Sequence, residues 1–462
     1  MTAFRLAVFC WLLGWALAAA RNFRHRRALS VDGVLGAYFF LCGVPLLLDA
    51  ILGTPEYLQQ PELRLSSADP PTEVLYGLYV AACAPIWWWT ARPIRTPRAI
   101  PEAFRSERFL VRVRITCIVL AVLPYALVVL SPEQDAYLTY GATVRGRFSA
   151  GGGEWHNLVA NAALVGVLAT AIALSSYRRV PVAKWAIALL SIGASCWIFG
   201  KRAIVAIAIV AVGYVLWNQG LIRGRRLYAA VLAGAALLMV YSWFYQSEVR
   251  FADDPMLANP AATGYEGFRI DYFRDDRIKM ALHAELDPGA TRILEYRGQS
   301  LLFDVAFFVP RSVWPGKPWP YSVYFTSATF QILPPRPLGW GMTTSWLDEA
   351  IANFGWFGLL LGPLGISAVC LAGDRYAWPP LNVMTLLVAV LLLAVQLPSF
   401  LGLFLLWLLL IAIARREATR RADAKPLVEN RTAMRTRRLN SRTDRPRDGF
   451  LESVGLLGRQ CP

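Results

Sequence analysis

The sequence predicts an all-α, polytopic membrane protein with about 11 transmembrane helices and one large, partly helical outer loop. Two observations predict this class. Of the 462 residues, 56% are hydrophobic, and the apolar residues form long runs that contain few charges. Only helices and closed barrels satisfy their backbone hydrogen bonds inside lipid, and these runs are too long for barrel strands. We therefore expect the chain to cross the bilayer as helices.

Apolar runs near the length of a membrane-spanning helix mark the predicted helices in order. The first run ends at a basic cluster, Arg21–Arg27, which resists translocation. We therefore interpret it as a retained helix and not as a cleaved signal peptide. A long gap separates the eighth run from the last three. The runs lie at about 4–20, 33–52, 74–90, 110–130, 157–176, 182–200, 203–219, 227–245, 347–371, 379–396 and 398–414.

The basic residues predict the orientation of these helices. The net charge is +16, and 13 of the 47 Lys and Arg residues follow residue 414. Many others lie in short loops between apolar runs, which is the positive-inside pattern and not a nucleic-acid-binding stripe. The C-terminus is then cytoplasmic, and the N-terminus and the loops at 53–73 and 246–346 lie outside. Four basic clusters fall inside, at Arg21–Arg27, Arg92–Arg114, Arg178–Lys184 and Arg223–Arg226.

Four regions follow from this topology. Residues 1–245 contain eight membrane helices, 246–346 form the large outer loop, 347–414 contain three more helices, and 415–462 form a basic tail. The tail has little periodicity and is predicted to be disordered at the inner leaflet. No pair of the seven cysteines has metal-ligand spacing, and no nucleotide-binding motif is present. We therefore expect no disulfide, no metal site and no cofactor.

Two adjacent cations, Lys201 and Arg202, occupy a turn between two apolar runs on the side predicted to be outside. A cation near the centre of a membrane helix costs about 2.5–3.5 kcal/mol, so cations with so little loop around them need a reason. One interpretation is an anion site at the outer face of the membrane. The other is a tight turn whose side chains reach the interface.

The large outer loop contains the sequence GFRIDYFRDDRIKMAL at 267–282. Residues 268–282 fit one amphipathic helix, with apolar side chains on one side and charged side chains around the rest. Cations in this outer loop would suit an anionic ligand. The alternative is a solvated helix held by ion pairs between neighbouring turns.

A proline-rich segment follows, FFVPRSVWPGKPWP at 307–320. Its prolines stiffen the backbone around Arg311 and Lys317, and its aromatic residues are typical of the headgroup level. A guanidinium and an ammonium held there would suit a phosphate group. The alternative is an aromatic belt with two cations that reach the interface. The candidates for stacking on a sugar ring are Trp314, Trp319 and Tyr321.

Two acidic residues, Asp348 and Glu349, stand at the start of the next predicted helix. Acids in a first helical turn often cap free N–H groups. The alternative is a general base that takes a proton from a sugar hydroxyl. His156 and His283 both fall in predicted outer loops, and His283 is kept as a further candidate for the catalytic site.

Together these features suit a lipid-linked anionic substrate, such as a sugar chain on a polyprenyl pyrophosphate. Arg and Lys would neutralise the pyrophosphate as it leaves, and a carboxylate would assist the acceptor hydroxyl. No nucleotide is needed because the donor is already activated. The predicted partners are this lipid-linked oligosaccharide and the lipid bilayer, without nucleic acid.

Several motifs resemble those of the bacterial O-antigen polymerases, also called oligosaccharide repeat-unit polymerases. They are YFRDDR at 272–277, FVPRSVWPGKP at 308–318 and GMTTSWLDEAIANFGWFG at 341–358, with GKR at 200–202. The resemblance implies a GT-C-like glycosyltransferase that joins repeat units on undecaprenyl pyrophosphate at the periplasmic face of the inner membrane. It leaves open whether a chain-length regulator docks on this chain. It gives weight to Arg202, Arg274, Arg277, Arg311, Lys317 and Glu349.

Two other functions fit the same topology. An O-antigen-ligase-like enzyme would move a finished glycan to another acceptor, and a catalytic outer-loop histidine such as His283 would favour it. A polysaccharide transporter or flippase would need charged residues midway along its helices, and the predicted helices are nearly free of charge at their centres.

Overall fold

A computed structural model of the chain describes residues 1–416 except 26, 93–105, 142–149, 178–179, 246–263, 310, 312 and 339–340. The described residues form helices and contain no β-strand. The chain divides into two compact units, Met1–Ile411 and Ala412–Pro462, and the description of the second covers residues 412–416. Several predictions fall wholly or partly outside the described part. They are the tail beyond residue 416, residues 246–263 of the large outer loop, residues 26, 93–105 and 178–179 of the basic clusters, the side chain of Arg202, and Pro310 and Ser312 of the proline-rich segment.

The helices are numbered in chain order over the described residues. They are α1 (Thr2–Arg24), α2 (Ser30–Tyr38), α3 (Val44–Leu52), α4 (Pro61–Ala68), α5 (Pro70–Thr90), α6 (Glu107–Val129), α7 (Ala150–Ser175), α8 (Val182–Phe199), α9 (Arg202–Asn218), α10 (Arg225–Tyr245), α11 (Gly264–Tyr272), α12 (Asp275–Leu286), α13 (Gln299–Val305), α14 (Tyr321–Thr329), α15 (Trp346–Phe354), α16 (Gly358–Asp374), α17 (Pro379–Ala394) and α18 (Leu397–Arg416).

Eight helical segments among the described residues are long and apolar enough to cross a membrane. Two further apolar helices, Ala203–Asn218 within α9 and Pro379–Ala394, are shorter. The prediction of an all-α chain with several helices that could span a membrane is thus confirmed. The predicted number of eleven spans is reached only if α5, α9 and α17 are also counted. The eight segments are α1, α2 with α3, α6, the part of α7 from Leu158, α8, α10, α15 with α16, and α18.

The candidate membrane helices turn apolar side chains outward. Leu190 on α8 and Leu232 and Trp243 on α10 are between 70% and 74% exposed. In water such side chains along whole helices would form a very large apolar patch, whereas against lipid they are the ordinary outer surface of a membrane helix.

A π-helical segment, Phe39–Gly43, joins α2 to α3. Such a segment shifts the backbone hydrogen-bond pattern and frees carbonyl groups for other donors. The Leu41 carbonyl accepts from the backbone N–H of Arg274 at 3.1 Å, and the Cys42 carbonyl accepts from the Tyr76 hydroxyl at 3.2 Å. The start of α12 is therefore fixed against a candidate membrane helix.

The described part of the segment between α10 and α15 contains four short helices, α11 to α14. The single amphipathic helix predicted over 268–282 is wrong, because α11 ends at Tyr272 and α12 begins at Asp275. The break lies where the Arg274 N–H bonds to α2–α3 instead of continuing the helix. The solvated-helix alternative is also wrong for α12, since its residues from Asp275 to His283 are all buried.

The predicted helix at 347–371 is interrupted between α15 and α16 by a short 3₁₀ turn. Gly355 in this turn has a φ of 60°, a conformation that favours glycine. A Cβ atom at Gly358 would lie 2.2 Å from the Ala350 carbonyl oxygen. The two helices are therefore joined so closely that only glycine fits at position 358.

Contacts between loops fit the predicted alternation of the helices. Ser30, at the start of α2, donates from its backbone N–H and its hydroxyl to Asp374 at the end of α16, each at 2.8 Å. Trp197, near the end of α8, donates to the Tyr137 carbonyl after α6 at 3.0 Å. In both cases the partners belong to loops predicted to lie on the same side of the membrane.

Candidate functional site

The first turns of α15 lie within a buried group of acidic and polar side chains, which we call the α15 acid cluster. Both acidic residues predicted from the sequence, Asp348 and Glu349, are 0% exposed. The cluster is built from α13, α14 and α15, and its members are Ser300, Asp304, Tyr321, Asp348, Glu349 and Asn353.

Glu349 is oriented by a short relay of hydrogen bonds. Ser300 donates its hydroxyl to Glu349 Oε1 at 2.7 Å, and Asn353 Nδ2 donates to the Ser300 oxygen at 2.7 Å. Because the Ser300 oxygen accepts from Asn353, its proton is available for Glu349. Glu349 Oε2 is buried and has no protein partner. One carboxylate oxygen is thus held in place and the other is left for a further ligand.

Asp348 caps the helix that carries Glu349. Its Oδ1 accepts from the Ser345 backbone N–H at 2.8 Å and also from the Ser345 hydroxyl, which is the capping-box arrangement. Asp348 Oδ2 is buried without a protein partner. The capping alternative considered for these acids therefore describes Asp348 and does not describe Glu349.

Tyr321 lies beside these two carboxyl groups and is 1% exposed. Burial first, and then the charges of Asp348 and Glu349, raise the pKa of its phenol well above the usual value. Its hydroxyl has no hydrogen-bond partner of good geometry. Tyr321, which was predicted to stack on a sugar ring, is instead a buried member of the α15 acid cluster.

A buried guanidinium completes this region. Arg277 on α12 is 0% exposed, and its charge acts on Asp348. One terminal nitrogen donates to the Ile270 carbonyl, while Nε and the other terminal nitrogen have no protein partner. Buried guanidinium groups are normally fully hydrogen-bonded or paired. Arg277 therefore has two donor nitrogens without a protein partner in a place shielded from solvent.

A second set of charges, which we call the buried ion cluster, fixes α12 to the ends of α3 and α5. The Arg269 guanidinium contacts two carboxylates directly and a third at 3.3 Å. The Lys279 ammonium lies 3.0 Å from Glu73 and 3.5 Å from Asp49. The members are Asp49, Glu73, Arg269, Asp275, Asp276 and Lys279.

The buried ion cluster has an acid that favours its neutral form. Burial raises the pKa of Asp275 to about 7 against the opposing charge of Arg269, and the neighbouring Asp276 carboxylate raises it further. Burial also acts on Asp276, but Arg269 and Lys279 outweigh it and hold the Asp276 pKa below its usual value. The four carboxyl groups of the cluster exceed its two cations by two. A proton on Asp275 removes one negative charge, and Arg5, 2.8 Å from Glu73, offsets the other.

In the proline-rich segment, the two predicted anion ligands bond to their own loop. Arg311 donates to the carbonyls of Lys317 and Pro318 at 2.6 and 2.8 Å, and its guanidinium stacks on Trp319, 3.4 Å from the ring centre. Lys317 donates to the Phe307 and Val309 carbonyls at 2.9 and 3.0 Å. The alternative of two cations that reach the interface is wrong for Lys317, which is 6% exposed.

These contacts also change the expected roles of the aromatic residues in that segment. Trp319 is covered on one face by Arg311, so that face is not open to a sugar ring. Trp314 is half-buried and accepts the Lys317 backbone N–H at its carbonyl at 3.0 Å. Burial, then the nearby charge of Arg311, lowers the pKa of the Lys317 ammonium.

The remaining predicted residues contact other parts of the chain. Arg274 donates to the Ala394 carbonyl at the end of α17 at 2.8 Å, so it links α12 to that helix. Lys201 lies in the turn before α9, near His156. His283 contacts Thr72 at 3.2 Å and Asp69 at 3.5 Å.

Asp304 and the buried ion cluster were not predicted from the sequence as parts of a site. A lone acid inside the apolar run LLFDVAFF was the available signal for Asp304. Asp49, near the end of an apolar run, was the available signal for the ion cluster.

Comparisons with models of protein families, with curated proteins and with solved structures found no match for this chain.

Proposed function

We propose that the chain is a membrane glycosyltransferase that polymerises oligosaccharide repeat units carried on undecaprenyl pyrophosphate, at the periplasmic face of a bacterial inner membrane. The observation that carries the proposal is the packing of α12 against α15. It places the buried Arg277, which has two donor nitrogens without a protein partner, where its charge acts on Asp348 of the α15 acid cluster. A cation for a leaving phosphate and a base for an attacking hydroxyl then stand in one buried site. The motif resemblance to O-antigen polymerases supports the same reaction.

In this proposal the chain crosses the membrane eleven times, with α5, α9 and α17 as additional spans, the N-terminus in the periplasm and the C-terminus in the cytoplasm. The distribution of basic residues supports this orientation. The α15 acid cluster and the buried ion cluster then lie at the outer ends of the spans, at the height of lipid phosphates. Three helices of the large outer loop contribute to the site: α12 carries Arg277, α13 carries Ser300 and Asp304, and α14 carries Tyr321.

The proposed step forms one glycosidic bond and breaks another bond. The acceptor hydroxyl transfers its proton to Glu349 while its oxygen attacks the anomeric carbon of the donor sugar. The bond from that carbon to the pyrophosphate oxygen breaks, and its electron pair leaves with the pyrophosphate. Arg277 faces the negative charge that develops on this leaving group, so it lowers the barrier by binding the transition state more strongly than the substrate.

The other predicted residues take supporting roles in the proposal. Arg311 and Lys317 hold the proline-rich segment in shape through carbonyl contacts, and Asp348 holds the first turn of α15. Lys201 and Arg202 remain candidates for a second contact with the pyrophosphate or with lipid phosphates.

The test is the length of the surface glycan in a strain without the gene. A polymerase deletion gives glycan with a single repeat unit, and the wild-type gene restores long chains. Glu349→Gln should fail to restore them, since a general base typically contributes about 10²–10⁴ in rate. Asp287→Asn is the matched control, because Asp287 is exposed and its carboxylate accepts from the nearby Gly289 N–H at 2.8 Å. Long chains in the deletion strain would refute the proposal.

The alternatives predict different products in the same strain. Loss of a ligase-like enzyme would leave long glycan unattached, and loss of a transporter or flippase would leave the lipid-linked unit in the cytoplasmic leaflet. The buried ion cluster is an observation that favours transport, because buried ionisable groups often mark proton or ion pathways. The ligase alternative relied on His283, which is held between Thr72 and Asp69.

A further inference from the structure

A carboxyl group that the proposed reaction does not use lies beside Glu349. Both oxygens of Asp304, on α13, are buried and have no protein partner. An ionised carboxylate in such a place is strongly disfavoured, since no cation or N–H group compensates for the lost water. A chain that only needed a stable α13 would gain by an apolar residue there, because the neighbouring positions of LLFDVAFF are apolar.

The geometry of α13 turns Asp304 toward α15. Ser300 and Asp304 are four residues apart on this helix, so their side chains share one face. Ser300 donates to Glu349 Oε1 at 2.7 Å, which shows that this face of α13 is directed at Glu349. Asp304 acts electrostatically on Glu349 more strongly than Asp348 does. The two carboxyl groups therefore belong to one buried site.

Other charged and titratable groups face this site from the elements packed around it. Asp348 comes from α15 and the Tyr321 phenol from α14, and both lie near Glu349. Arg277 comes from α12 and acts on Asp348. From the proline-rich segment, the Lys317 ammonium lies 4.7 Å from the ring of Phe303, which adjoins Asp304 in sequence.

We propose that Asp304 and Glu349 share one proton as a pair. Each has at least one buried oxygen without a protein partner, so the site disfavours a charge on both. Two close carboxyl groups in a buried site ionise one at a time, and the proton belongs to the pair. The reaction uses the form in which Asp304 holds the proton and Glu349, which receives the Ser300 hydroxyl, is the ionised base.

This inference rests on the proposed function and adds a positioning residue to it. A neutral Asp304 offers an O–H that orients Glu349 and spares the site a second negative charge beside the departing pyrophosphate. Burial raises the pKa of Asp304 to about 7, so the proton is retained up to neutral pH. Above that pH the second charge appears, and repulsion from the leaving group slows the reaction.

The test is the pH dependence of chain extension by purified protein in detergent. The probe is the lipid-linked repeat unit extracted from the deletion strain, and the readout is the initial rate of joining two units. We expect the wild-type rate to fall about tenfold per pH unit above the ionisation of Asp304. Asp304→Asn keeps an N–H donor and cannot ionise, so its rate should stay within about twofold from pH 7 to pH 9.

Asp287→Asn is the control and should keep the wild-type profile. A wild-type decline that persists in Asp304→Asn, or a wild-type rate that does not decline, would overturn the proton-sharing pair. If Asp304→Asn is not recovered folded, infrared difference spectra of the wild-type protein between pH 6 and pH 9 decide. They should show loss of one protonated carboxyl band, and that band should be absent or displaced in Asp304→Glu.

The two levels of the proposal fail in different ways. If wild-type protein joins no repeat units while the infrared spectra show the titrating carboxyl, the proposed function is wrong and the pair remains. If wild-type protein joins units and Asp304→Asn keeps the alkaline decline, the pair is wrong and the proposed function remains.

Discussion

Removing the Lys279 side chain should strongly destabilise the protein. The Lys279 ammonium is 0% exposed and lies 3.0 Å from Glu73, 3.5 Å from Asp49 and 3.6 Å from Asp275. In Lys279→Ala these carboxyl groups keep their burial and lose a cation that all three share. Breaking a buried pair by removing one partner costs about 3–5 kcal/mol. That is a large part of the ~5–15 kcal/mol by which proteins are stable.

Arg5→Ala is the matched control for this prediction. Arg5 pairs with the same Glu73 carboxylate at 2.8 Å, but its side chain is 12% exposed and lies at the edge of the cluster. Water can replace part of its contact, so the expected loss is about 1 kcal/mol. A double variant, Lys279→Met with Asp49→Asn, should be more stable than Lys279→Ala, because removing both partners leaves no uncompensated charge between them.

The assay is thermal unfolding of the detergent-purified variants, followed by intrinsic tryptophan fluorescence at one heating rate. We expect the unfolding temperatures to fall in the order wild type, Arg5→Ala, Lys279→Ala. Equal temperatures for Lys279→Ala and Arg5→Ala would show that the ion cluster does not hold α12 to α3 and α5, and the reasoning from burial would be refuted.

Three further predictions concern the site and its supports. Gly358→Ala should lower the yield of folded protein, because its Cβ would lie 2.2 Å from the Ala350 carbonyl oxygen. Gly14→Ala is the control: its Cβ meets no atom within 4 Å, so it should be recovered normally. Equal yields of the two variants would contradict this prediction. Burial raises the folded-state pKa of Asp304 from 3.8 to about 7. Its contribution to stability is therefore full below about pH 4 and is lost as the pH rises to about 7. The free energy of unfolding of the wild type should fall by about 3 kcal/mol between pH 5 and pH 8, and melting curves of Asp304→Asn should show a smaller loss. Arg311→Lys should shorten the surface glycan with normal protein abundance in the membrane. A lysine ammonium can bond to carbonyls, but it cannot at the same time lay a flat face on Trp319 as the Arg311 guanidinium does. Glycan of wild-type length would show that Arg311 is not needed to shape the proline-rich segment.

Much of the helical architecture could be predicted from the sequence because every residue of an apolar run carries the same signal. The breaks could not be predicted in this way. The separation of α11 from α12 depends on the bond between the Arg274 N–H and the Leu41 carbonyl, which joins residues far apart in sequence. The turn between α15 and α16 depends on the fit of Gly358 against Ala350.

The sequence predicted which residue types form the candidate site better than it predicted where their side chains point. The acids at the start of α15 and Arg277 were singled out as candidates. The structure packs α12 against α15, and the charge of Arg277 acts on Asp348. Arg311 and Lys317 were expected to face an external anion, yet both turn inward to backbone carbonyls. Charge can be read from a sequence, whereas the direction of a long side chain is decided by the carbonyls and rings around it.

The most decisive measurement is chain extension by the purified full-length protein in liposomes that contain the lipid-linked repeat unit from the deletion strain. The proposal predicts a ladder of two or more repeat units for the wild type, with release of undecaprenyl pyrophosphate, and single units only for Glu349→Gln. Folded wild-type protein that leaves every repeat unit single, or that moves the units across the bilayer unchanged, would contradict it.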